Sequence, residues 1–256
     1  MNEFWKFLSD VSVVPGKLPL VHTTDMHGFK KIELANALQP QPCPVYGENL
    51  LYFFYGRPAY RAHRAVETTT AKAFAPVCFI MSDQLDDAVC RIMPFDSGAF
   101  HNGLMHPPMH PDVPLSEYEL AVDVNAPMKL IKVFFGDERR YYDRMPLPDV
   151  LTEDEAWKNL SINSFDQLIR NRSNSRSDDR VCAIEIQINK KITLLNRVEA
   201  VILPAAYLQI EGVAQQIEEW GALAIPYDLG YEFIPREIIG VFWQTIRDFL
   251  ATAGRL

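Results

Sequence analysis

The segment from residue 94 to 116 constrains the fold more than any other: Pro94, Pro107, Pro108, Pro111 and Pro114 fall within it, together with His101, His106 and His110. A proline offers no backbone N–H and locks its own φ, so this density predicts a long ordered loop without a regular element. Regular structure is therefore expected on either side of it.

Before the loop, residues 4–8 and 18–22 read as a short helix and a strand around the Pro15–Gly16 turn. A helix follows with Phe29, Ile32 and Leu38 at helical spacing, Thr24 or Asp25 as its cap, and Pro40 with Pro42 as its stop. GENLLYFFYG (47–56) and APVCFIMS (75–82) read as apolar strands. After the loop, 117–124 and 129–135 suit either strands or short helices. A helix starts at Thr152 with an acidic first turn. RVCAIEIQI (180–188) alternates like a half-buried strand, VEAVILP (198–204) is a second strand, and 206–220 reads as helix. Apolar residues return at 222–226, and an amphipathic helix closes the chain near 235–251. The expected architecture is a single α+β domain over 1–256, with a loop-rich insertion around 94–150.

A chain of 256 residues can bury a sizeable core, and 25 basic against 33 acidic residues leave a formal net charge of −8. That balance excludes a global field for holding duplex nucleic acid, which depends on neutralising phosphates, and leaves room only for a local basic groove. Cys43, Cys78, Cys90 and Cys182 form no C-x-x-C pair, which argues against a thiolate zinc site or a disulfide framework. The stretch MNEFWKFLSD lacks the apolar run of a signal peptide, and no run is long enough for a membrane span. A reduced, cytoplasmic setting with no membrane partner is the expectation.

Three segments carry chemistry-bearing residues. In LVHTTDMHGFKKI a strand ends on His22, Thr23 and Thr24 and opens a helix; in LYFFYGRPAYR an aromatic strand delivers Arg57; in RVEAVILP, Glu199 sits among apolar neighbours. Each also has a plain structural explanation: a helix cap, core aromatics, a surface ion pair, a solvent-facing glutamate.

Taken in order, HTT before a helix, FFYGRPAY, and RVEAVILP resemble the ADP-ribosyltransferase fold, in particular the DarT-like DNA ADP-ribosyltransferases. The resemblance covers about 22–61 and 195–210. It implies mixed and antiparallel sheets with flanking helices, NAD as substrate, and a nucleic-acid or protein acceptor. It also implies a toxin or phage-defence role, held in check by an antitoxin or other inhibitory partner. By the same resemblance Glu199 stabilises the oxocarbenium-like ribose, and His22 and Thr23 hold the cofactor. Arg57 meets the pyrophosphate or activates the acceptor. A ring from Tyr52, Phe54, Tyr55 or Tyr60 would stack on nicotinamide. Strand alternation lets only some of these face the site, and Tyr55 and Tyr60 are favoured because they flank the turn at Arg57. Glu185, in another late strand, rivals Glu199. No G-x-G-x-x-G or P-loop run occurs.

Rival readings are an NAD glycohydrolase of the same fold, a non-enzymatic binding or regulatory module, and a metal-dependent hydrolase using His101, His106, His110 and Asp112. The proline-interrupted spacing of those histidines leaves no helix to hold them, so no metal is assigned. The polar run 171–180, with Arg172, Arg176 and Arg180 and flanked by Arg170, reads as a solvated loop or a clamp for a phosphate-bearing acceptor.

Overall fold

The computed structural model describes residues 1–59, 67–82, 89–148, 150–171 and 180–256. The strands up to the proline-rich segment are β1 (Leu20–Asp25), β2 (Ala37–Leu38), β3 (Gln41–Cys43), β4 (Glu48–Tyr55), β5 (Pro76–Met81) and β6 (Val89–Met93). Those after it are β7 (Glu185–Ile188), β8 (Ile192–Thr193), β9 (Val198–Pro204) and β10 (Leu223–Tyr227). Seven of them lie in the order β10-β9-β5-β1-β4-β7-β6, with β3 paired to the first half of β4. Every pair in this open sheet is antiparallel except β10 with β9. Nine α-helices occur among the described residues, so the architecture is α+β with a mostly antiparallel sheet.

The central strands are apolar on both faces because helices cover them: β5 reads PVCFIM and is buried throughout. On one face Phe79 stacks against Phe29 of α2 (Met26–Ala35), ring centroids 6.1 Å apart, and meets Trp220 at 6.2 Å. Helix α9 (Ile238–Thr252) packs against β5 and buries Phe242, Ile246 and Leu250. A second group gathers around α1 (Glu3–Ser9). Its Phe4 meets Phe134 of α4 (Ala126–Phe134) at 6.3 Å and Phe165 of α7 (Leu160–Arg170) at 5.3 Å.

The 94–116 segment departs from the expected loop. Between Pro94 and Pro107 there is room for one helical turn, α3 (Ser97–His101), capped by Asp96, whose Oδ1 accepts the Ala99 N–H at 2.7 Å. A 3-10 turn, Leu115–Tyr118, follows Pro114. Prolines exclude regular structure only where they stand or just before them. Helix α2 is capped by Asp25, not Thr24, and ends at Asn36 (φ +50°), before either proline. The helix expected from Thr152 is two, α6 (Glu153–Lys158) and α7, broken at Asn159. No helix among the described residues is long and apolar enough to cross a membrane.

Candidate functional site

Strand β1 runs beside β5 from Val21 to Asp25, yet it pairs with β4 only at Leu20–Tyr55 and Val21–Phe54. Beyond Val21 the strands part. In an unbroken ladder Tyr52 would face Thr23; instead the Tyr52 carbonyl accepts from His22 Nδ1 at 2.8 Å. The sheet thus splits at its centre, and a cleft of about 500 Å³ opens there. That volume lies inside the roughly 300–1,000 Å³ range of ligand clefts. β1 contributes His22, Thr23 and Thr24 to its lining, α2 contributes Gly28 and Lys31, the β2–β3 segment Gln39 and Gln41, and β4 Tyr52.

The chemistry of His22 follows from its bond. A carbonyl oxygen cannot donate, so Nδ1 carries the proton and Nε2 carries the lone pair. Burial holds the imidazole below its ordinary range, only partly offset by the bond to Tyr52, so the ring is neutral at pH 7. Aromatic rings fix it from two sides, Phe53 at 5.5 Å and Phe79 at 6.2 Å. The cleft therefore contains a rigid, uncharged hydrogen-bond acceptor. Gly28 leaves room for the neighbouring Thr24 hydroxyl: a Cβ there would fall 2.0 Å from Thr24 Oγ1. Among the described residues Lys31 has no ion-pair partner, and it supplies the cation at the rim.

The other expected site residues lie elsewhere. Thr23 lines the cleft, but its hydroxyl donates to the Ala59 carbonyl. The Arg57 guanidinium is buried away from the cleft, where Nη1 donates to the Tyr141 carbonyl and the group lies 5.4 Å over the Tyr141 ring. Tyr55 borders a separate apolar cavity of about 180 Å³ and donates its hydroxyl to Glu138 Oε1 at 2.8 Å. Tyr60 and residues 172–179 lie outside the described residues. Glu199, on β9, forms a two-point ion pair with Arg255, each N–O contact 2.9 Å. Strands β1 and β5 separate β9 from the gap between β1 and β4.

Glu185 is better placed. It starts β7, which adjoins β4, opposite Phe54 and diagonal to Tyr52. Only β4 stands between it and the gap. Its carboxyl is buried, accepts from Ser97 Oγ at 2.7 Å, Ser97 N at 3.2 Å and Gln187 Nε2 at 2.6 Å, and is pushed up to about 8 by burial and then by the Asp96 charge. Arg91 reaches this cluster through Gln187 Oε1 at 2.6 Å and stacks 3.8 Å over the Tyr46 ring. Sequence reasoning missed Ser97, Gln187, Tyr46 and Lys31. The alternation of β7 puts Gln187 on the polar, solvent-facing side with Glu185, whereas the structure buries both.

No group of three His, Cys, Asp or Glu suited to a metal occurs among the described residues, and His106 Nδ1 bonds the Met109 carbonyl. Compared with family models, curated proteins and solved structures, the chain matches none.

Proposed function

We propose that the protein is an NAD-dependent mono-ADP-ribosyltransferase whose site is the cleft between β1 and β4. The observation that carries this reading is His22, a neutral acceptor held at the split of the sheet, on the strand-to-helix HTT segment whose resemblance suggested NAD. In the proposed reaction Nε2 of His22 accepts a hydrogen bond from a ribose hydroxyl. The nicotinamide–ribose bond breaks with its electron pair leaving on nicotinamide, and a lone pair of the acceptor bonds the ribose carbon. A carboxylate stabilises the positive ribose and takes the acceptor's proton. Its position next to β4 favours Glu185 over Glu199, which is occupied by Arg255. Tyr52 is the ring that lines the cleft, in place of Tyr55. The acceptor is a nucleic acid or protein, and an inhibitory partner fits a toxin or defence role.

The test is incubation with labelled NAD and a fractionated lysate, repeated with His22→Ala, Glu185→Gln and Glu199→Gln. We expect label on a macromolecular fraction, lost about 100-fold or more in the first two variants and retained within a few-fold in the third. Release of free ADP-ribose alone would make the protein a glycohydrolase. No NAD consumption and no thermal shift at millimolar NAD would overturn the reading in favour of a binding module.

A further inference from the structure

Ser97 comes from the proline- and histidine-rich segment, and its hydroxyl and backbone N–H both donate to the buried carboxyl. Its Oγ–H donates to Glu185 Oε1 at 2.7 Å and its N–H donates to Oε2 at 3.2 Å, so one residue grips both oxygens. Gln187 Nε2 completes the set, 2.6 Å from Oε1 and 3.2 Å from Ser97 Oγ. Ser97 and Gln187 are fully buried and Glu185 nearly so. A carboxylate oxygen has two lone pairs. Oε1 therefore has both engaged and Oε2 one, although the carboxyl is buried and outside the cleft lining.

We propose that Ser97 is a positioning residue that turns the Glu185 carboxyl so that Oε2 meets a hydroxyl of the bound ribose. This rests on the assignment of Glu185 to the transfer reaction made above. Without the Ser97 hydroxyl the carboxyl is held only by the Ser97 N–H and Gln187 Nε2, and its ionised form loses a donor. The charged and titratable groups facing it are Asp96 on the α3 cap, Tyr46 in the β3–β4 turn, Tyr52 on β4, and Arg91 on β6 acting through Gln187. Asp96 opposes ionisation, Arg91 reaches the carboxyl through Gln187, and the two tyrosines stay protonated. Ser97 and Gln187 are thus the groups that favour the charged form.

The experiment is carbon-13 NMR titration of the Glu185 carboxyl in the wild type, Ser97→Ala, Ser97→Thr and Ser97→Cys, with NAD turnover measured against pH on the same samples. For Ser97→Ala we expect a titration midpoint raised by about one pH unit. The acid limb of turnover should move by the same amount. At pH 7 kcat should fall roughly tenfold with KM changed less than about twofold, the pattern of an interaction needed in the transition state and not for binding. Ser97→Thr, which keeps the hydroxyl, should restore both, and Ser97→Cys, a weaker donor of similar size, should fall between. Coinciding midpoints in the folded Ala and Cys variants would overturn the proposal, as would a turnover profile that stays still while the midpoint moves. Wild-type protein that never consumes NAD would sink the transfer reaction and with it the role in ribose contact, while the NMR midpoints would still report on the grip of Ser97.

Discussion

The imidazole of His22 and the carboxyl of Glu185 shift in opposite directions, the base lowered and the acid raised, so the carboxylate form that the transfer step needs is the minor form at pH 7. For Glu185 the consequence for stability has a definite sign. Below about pH 4.5 the native and unfolded chains both hold its proton. Between there and about 8 the native chain keeps a proton that the unfolded chain releases, so stability falls as pH rises through that window and levels off above it. The slope from one such group is at most about 1.4 kcal/mol per pH unit. Urea denaturation at several pH values should show it in the wild type and a flatter profile in Glu185→Gln. Equal slopes would mean that the carboxyl titrates normally. His22→Gln offers a complementary check, since Gln keeps an N–H for the Tyr52 carbonyl: the fold should survive with thermal stability nearly unchanged while NAD binding weakens.

Gly56 ends β4 with φ +67° and donates its N–H to the Pro19 carbonyl at 2.7 Å, which closes the two-residue contact between β4 and β1. A Cβ there would fall 2.6 Å from Leu18 Cδ1. Gly56→Ala should therefore cost about 1–3 kcal/mol through the left-handed backbone and the clash, read as a lowered denaturation midpoint. At β5, Phe79 is fully buried and touches rings from three other elements, His22, Phe29 and Trp220. Phe79→Ala should cost about 3–5 kcal/mol, the range for emptying a packed aromatic site, and should also loosen His22. Elements were legible in the sequence where one force acted alone. The apolar runs of β4, β5 and β9 and the helical spacing of α2 and α9 follow from burial on a sheet or helix face. α3 was hidden because prolines on both sides masked a short permissive window, and β6 because its five residues include Arg91 and Cys90.

Across the whole molecule the candidate site was half legible. His22 and Thr23 stand where a strand turns into a helix, a local signal that the structure keeps. Whether Glu185 or Glu199 lies nearer the cleft depends on strand order, a long-range property that two similar apolar strands do not encode. Arg57 follows its strand as expected, but its guanidinium donates to the carbonyl of Tyr141, eighty-four residues away. Glu199→Gln should lower thermal stability slightly, by about 1 kcal/mol or less, by releasing Arg255 near the C-terminus from β9. A loss of NAD turnover larger than that destabilisation explains would return the carboxylate role to Glu199. The partial contact of β1 with β4 gives the sheet the mechanics of two plates on a narrow hinge. One plate is β10-β9-β5-β1, the other β4-β7-β6, and the hinge is the Leu20–Tyr55 and Val21–Phe54 register. Anything that grips His22 on one plate and Tyr52 on the other stiffens that hinge from a distance. Amide hydrogen exchange at Val21, Phe54 and Gly56 should then slow when the cleft is filled, although no ligand touches those amides, so the seam itself becomes a built-in gauge of occupancy.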